Sequence, residues 1–157
     1  MRLTSCTDYA LRTLIYLAAR QQRLVTIAEI AGYHRIPKSH LSKVVHRLAQ
    51  AGMLRTVRGR QGGIALGAQP EAIRIGAVVR ATEPDFRIAP CFADAAGACP
   101  DAGGCGLQGV LARATRAWLG ELDGATLDDA IAAFPVPAAM PVAMALSAAA
   151  PSARLPA

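Results

Sequence analysis

The chain has 157 residues, enough for one domain and a modest appendage, and its 17 Lys and Arg against 11 Asp and Glu give a formal net charge of +6. That charge is divided: residues 1–66 hold 11 of the basic residues and only Asp8 and Glu29 as acids, a net of +9, whereas residues 67–157 hold six basic and nine acidic residues, a net of −3. An anionic partner is therefore expected for the first half alone. No apolar run follows the charge in Met1–Ser5, so a secretory leader is not expected, a cytoplasmic location follows, and structural disulfides are disfavoured. The hydrophobic fraction of 53% includes 34 Ala and only seven aromatics, so a core must be built from Leu, Ile and Val. No run of large apolar residues is long enough to span a membrane, and no internal repeat is evident.

In chain order, Leu11, Leu14, Ile15 and Ala18 mark one face of a helix over residues 7–20, with Ser5 or Thr7 as its cap. Thr26 and Glu29 have capping-box spacing and open a short helix over 26–32, with a turn at Gly32–Ile36. Pro37 suits the first turn of a third helix that runs to about Ala51, where Gly52 ends it. Leu41, Val44, Val45 and Leu48 face inward there, leaving Lys38, Ser39, His40, Ser42, Lys43 and His46 outside. Residues 53–57 alternate as a strand, Gly59–Gly63 turn, and Ile64–Leu66 return. Two helices joined by a tight turn and followed by a basic hairpin make a winged helix-turn-helix.

Beyond the wing, Ile73–Ile75 is read as a short pairing strand and 75–83 as a helix. Residues 84–106 are irregular and hold three Cys. A helix over 107–122 carries Leu107, Val110, Leu111, Ala114, Trp118 and Leu122 along one stripe, a candidate dimer interface. A short helix over 126–133, capped by Thr126, follows, and the Pro-broken tail 134–157 is read as disordered. The expected fold is mainly α. It comprises a DNA-binding domain at 1–83, a cysteine-bearing loop at 84–106, a dimerisation helix with a short C-terminal helix at 107–133, and the tail.

A reading helix must show short polar and basic side chains to base edges, and its flanks must show cations to phosphates. Ser39, His40, Ser42, Lys43 and His46 meet the first demand, and Arg35, Lys38 and Arg47 the second. In the wing, Arg55, Arg58 and Arg60, with Gln61 beside them, surround flexible glycines, so the backbone can approach a phosphate or the minor groove. The competing reading is a solvated basic face.

Cys91, Cys99 and Cys105 are spaced C-x7-C-x5-C in a Pro/Gly-rich segment, and ligand bonds would explain so long a coreless stretch. The gaps exceed the C-x2-4-C turns of zinc knuckles and suit a broader object, an iron–sulfur cluster. Three thiolates leave one position of a 4Fe–4S cluster to another donor. Asp8 and Cys6 are the candidates, from the same chain or from a second subunit. A three-Cys zinc site and redox-active thiols are the alternatives. A thiol enzyme built on Cys6 lacks a general base, because His34, His40 and His46 all lie in or beside the reading helix. An enzyme is therefore not expected.

The opening Met1–Arg12, the wing Val57–Gly67, the stretch Ile73–Arg80 and the three-Cys segment occur in order, and together they resemble the winged-helix iron–sulfur regulators of the Rrf2 family over about residues 1–133. Leu3-Thr4-Ser5, Thr7-Asp8-Tyr9, Trp118–Asp123 and Thr126–Asp129 are similar to the family's nitric-oxide-sensing repressors. The resemblance implies a homodimer with one cluster per subunit, 4Fe–4S in preference to 2Fe–2S. Cys91, Cys99 and Cys105 would be its ligands, with Asp8 of the partner subunit as the fourth and Cys6 as the alternative. It further implies a palindromic operator released on exposure to nitric oxide. The branch that regulates cluster assembly uses a His three residues after the third Cys, where this chain has Gln108. Three departures stand out: the seven-residue first gap, the extra thiol of Cys6, and Pro37 where a small polar residue often opens the reading helix.

Overall fold

The structure, a computed structural model, describes residues 2–92 and 105–132. Cys99 and the tail therefore lie outside the described residues. The helices are α1 (Ser5–Ala18), α2 (Ile27–His34), α3 (Lys38–Gln50), α4 (Ile75–Thr82), α5 (Gly106–Gly124) and α6 (Leu127–Ile131), and the two strands β1 (Leu54–Val57) and β2 (Gly63–Leu66) stand between α3 and α4. This is a winged helix-turn-helix with a long helix appended.

Helix α1 is the centre of the head. Ala10, Leu14, Tyr16, Leu17 and Ala18 are buried on it, and α3, α4 and α6 pack around it. Its cap is Thr4, not the expected Ser5 or Thr7, with the Thr4 hydroxyl accepting from the Thr7 N–H. Glu83 takes the place beside it, because its carboxylate accepts from the Thr4 N–H at 2.8 Å and so sits at the positive end of α1.

Thr26 caps α2 as expected, but Glu29 does not complete a capping box, because Arg23 and the Tyr16 hydroxyl hold its carboxylate. Helix α2 ends two residues later than expected, on Arg35 in the left-handed region at φ 55°. Leu41, Val44, Val45 and Leu48 of α3 are buried as the periodicity requires. Gly52 closes the helix at φ 73°, where a side chain would be strained.

The strands pair antiparallel with Leu54 opposite Leu66 and Val57 opposite Gly63. Val25 adds a single bridge to Ile64, which ties the entry of α2 to the wing. The segment at Ile73–Ile75 does pair, but as one bridge from Arg74 to Thr126 flanked by main-chain bonds to Ala125 and Leu127. That pairing returns α6 to the head, where Leu127 is fully buried in the same core as α1 and α3.

Helix α5 differs. None of its residues is buried among the described residues, and Leu107 and Val110 are 59% and 50% exposed. Its C-terminal end rests on α4, where Gly76 abuts Asp123 so closely that a Cβ there would collide. Arg80 clamps the same Asp123 carboxylate in a two-pronged ion pair.

Candidate functional site

Two sets of residues concern function, and they lie at different places in the fold. The first is the outer face of α3. Pro37 occupies its N-cap with no side chain satisfying the first N–H groups, so that end of the helix is open to an anion beside Lys38. Lys38, Ser39, His40, Ser42, Lys43 and His46 are all exposed, as are Arg35, Arg55, Arg58, Arg60 and Gln61. Two of these have internal engagements. The Ser42 hydroxyl donates to the Lys38 carbonyl at 2.9 Å, and the His40 ring lies 6.5 Å from that of Tyr9. In the wing, the Gly62 N–H donates to the Gly59 carbonyl at 3.0 Å and closes a turn that carries Arg58, Arg60 and Gln61 outward.

Arg47 is exposed on the same helix and also has internal partners. Its Nη1 donates to the Thr82 carbonyl at 3.1 Å and lies 3.6 Å from the Cys6 sulfur.

The second set is cysteine-based. Cys91 lies in a 3-10 turn, Pro90–Phe92, and Cys105 stands immediately before α5. Both are half-buried and free, and the Gln108 amide donates to the Cys91 carbonyl at 2.9 Å, drawing the turn to the start of α5. Cys105 makes no capping bond to α5, so the helix's positive end faces the thiol unspent. This donor set fits a soft metal centre with iron–thiolate bonds. Among the described residues no three His, Cys, Asp or Glu side chains converge, and Cys99 is not described. Asp8 stands apart on α1, half-buried and paired with Arg12 at 2.9 Å. Cys6 shares that helix.

Comparison with known proteins decides the family. The Rrf2 model, described as "Iron-dependent Transcriptional regulator", matches residues 3–133. The chain belongs to the Rrf2 family. Among its relatives, "HTH-type transcriptional regulator NsrR" of Bacillus subtilis (strain 168) is 50% identical over 83% of this chain and 90% of its own. The protein of the same name from Bacillus licheniformis is 47% identical over 83% and 92%. A solved structure of CymR, the "Global Cysteine Regulator" of B. subtilis, shares the fold with a TM-score of 0.66 at 24% identity, covering 84% of this chain and 97% of that one. The Rrf2 member described here is thus a winged-helix transcriptional regulator. Among its described residues no helix is long and apolar enough to cross a membrane.

In this Rrf2 chain Gln108 is spent on a main-chain carbonyl, which gives the residue a structural task at the position where the cluster-assembly branch has a ligand. The sequence reading missed the polar junction beneath the head. Thr7 and Thr82 are fully buried with their hydroxyls 2.8 Å apart, and Thr7 in turn donates to Glu83. No local pattern links residues that lie more than 70 positions apart. It also missed the ring cluster of Tyr16, Tyr33 and His34, over which the Arg20 guanidinium stacks 3.7 Å from the Tyr16 centroid. Burial and the nearby Arg12 hold the His34 imidazole below its usual pKa, and its Nε2 has no hydrogen-bond partner among the described residues.

Proposed function

We propose that this Rrf2 regulator is a homodimeric repressor that holds an iron–sulfur cluster, senses nitric oxide through it, and releases a palindromic operator when the cluster is attacked. The 50% identity with a regulator named NsrR, across 90% of that chain, carries this reading. The free thiols of Cys91, on a turn that Gln108 bonds to the start of α5, and of Cys105, just before that helix, support it.

In this reading Cys91, Cys99 and Cys105 hold the cluster in preference to a zinc ion, and Asp8 of the partner subunit completes it, with Cys6 as the alternative donor. A bound cluster supplies an iron that takes up nitric oxide, most readily at the position held by a hard carboxylate. The chain's own residues do the rest. Arg12 holds Asp8 at 2.9 Å in one orientation on α1. As ligands, Cys91 and Cys105 would hold the 3-10 turn and the start of α5 to one cluster. Their release would loosen the chain that follows Glu83, whose carboxylate accepts from the Thr4 N–H at the start of α1. Because α1 packs directly on α3, the two reading helices of the dimer change their relation. Half-sites lie about one helical turn apart, roughly 34–36 Å, so a small change of spacing abolishes simultaneous docking. Ser39, His40, Ser42, Lys43 and His46 face the base edges in this reading. Arg35, Lys38, Arg58 and Arg60 face phosphates, and Gln61 extends the wing contact.

The test is to purify the protein without oxygen, record its visible absorption with its iron and sulfide content, and select a duplex from a random library. Binding to that duplex is then measured before and after nitric oxide. A coloured, iron- and sulfide-containing protein that loses the duplex on treatment is expected. A colourless protein that binds equally well in both conditions sinks the proposal.

A further inference from the structure

We infer that Arg47 is a positioning residue that couples the cysteine segment to the reading helix, rather than a contact to DNA. This rests on the sensing reading above. On α3, Arg47 follows Lys43 by four residues and belongs to the same exposed side, where a basic residue is ordinarily assigned to a phosphate. Its guanidinium is directed elsewhere. Nη1 donates to the Thr82 carbonyl at 3.1 Å, one of the last acceptors of α4 and hence at the negative end of that helix. The Cys6 sulfur, in the first turn of α1, stands 3.6 Å from the same nitrogen.

The point that Arg47 grips is a junction of three helices. Thr82 ends α4, and its hydroxyl lies 2.8 Å from that of Thr7 in α1. Thr7 donates to Glu83, and Glu83 also accepts from the Thr4 N–H and hydroxyl, at 2.8 and 3.1 Å. Thr7 and Thr82 are both fully buried, so the bond between them has no water to replace it and joins α1 to α4 as a unit. Among the described residues, Arg47 is the α3 side chain that hydrogen-bonds to this unit.

The location gives the contact its consequence. Residue 84, a proline, follows Glu83 directly and opens the segment that leads to Cys91, while Asp8 follows Thr7 on α1. A change at a cluster in either protomer therefore arrives at the same junction, by the chain after Glu83 or by the helix after Thr7. Arg47 passes it to α3, whose N-terminal half carries the reading face. The apolar side of α3 does not depend on this contact, because Leu41, Val44, Val45 and Leu48 are buried against the core. Removing the guanidinium leaves the helix packed and cuts the connection.

The experiment measures affinity of wild type, R47A and R47K for the library-selected duplex. It is done with the cluster bound and after chelation of the iron, across a salt series, with helical content and visible absorption recorded for each protein. The expected result is that R47A lowers the ratio of cluster-bound to cluster-free affinity about fivefold or more, within the ordinary range of coupling between sites. The loss falls on the cluster-bound state, with salt slope, absorption and helical content as in wild type. R47K, whose ammonium still reaches the carbonyl, regains most of the ratio. Equal weakening of both states with a salt slope reduced by about one marks a phosphate contact and overturns the inference. So does R47A with the wild-type ratio, and so does R47K no better coupled than R47A. A wild-type ratio of one is a different outcome: it removes the sensing reading itself, and the inference with it.

Discussion

The head and the appended arm are built on opposite terms. The head, from α1 to β2 with α4 and α6, closes a single core in which Leu14, Ile30, Leu41, Leu48, Val78 and Leu127 are almost wholly removed from water. The arm, α5 with the cysteine turn, is a 19-residue helix without one buried residue among those described. Isolated helices of that length are marginal in water, and most helical stability in proteins comes from packing of an apolar face. The difference teaches that the head carries its own core, whereas the arm has no core of its own among the described residues. The proposed sensing role suits this division, because elements that move in a switch are drawn from the low-stability end of a molecule.

The largest effect that tests the contrast is in the core. Leu48→Ala is expected to cost about 2–5 kcal/mol in urea unfolding, since it leaves a cavity under the reading helix. Val110→Asp on the arm is expected to change unfolding of the chain by less than about 0.5 kcal/mol, while sedimentation shows weakened self-association. Equal costs at the two positions would erase the distinction between head and arm. Leu127→Ala sharpens it, because this C-terminal residue is expected to behave as a head residue, again at about 2–5 kcal/mol.

Next comes the seam where head and arm touch. Gly76→Ala places a methyl group against Asp123 and is expected to cost about 1–3 kcal/mol, read as a shift in the urea midpoint. Arg35→Gly has opposing effects on fold and function. Relieving a left-handed backbone is expected to stabilise the head by up to about 1 kcal/mol, while removing a cation weakens duplex binding.

The smallest effect concerns pH. Burial and Arg12 lower the His34 pKa in the folded state, so the unfolded chain binds the proton more readily. Stability from this group is full above its unfolded pKa near 6.5 and declines as pH falls toward the lower folded value. His34→Gln is expected to lose less stability than wild type between pH 7.5 and 5.5, measured by paired urea titrations.

Much of the head was legible in the sequence for a local reason. Helical periodicity at Leu41, Val44, Val45 and Leu48, the cap at Thr26 and the glycine at 52 are each set within one or two turns of chain. The cap expected at Ser5 or Thr7 falls on Thr4, whose N–H is held by Glu83, 79 positions away. Arg47 shows the same limit. Its residue type and helical position suited a phosphate contact, and only the tertiary structure brought its Nη1 to the Thr82 carbonyl and the Cys6 sulfur. The cysteine spacing suggested that the segment after Pro84 holds ligands, and the structure added that Gln108 bonds the Cys91 carbonyl to the start of α5.

By itself, then, the sequence determined the winged helix-turn-helix and the exposed basic face of α3, because periodicity and turn chemistry are written in short stretches of chain. Tertiary structure alone decided that α6 belongs to the head, that three helices meet at Thr7, Thr82 and Glu83, and that Arg47 serves this junction. Those outcomes depend on which distant groups must share a buried hydrogen bond once the chain has closed, and no local pattern records such a pairing.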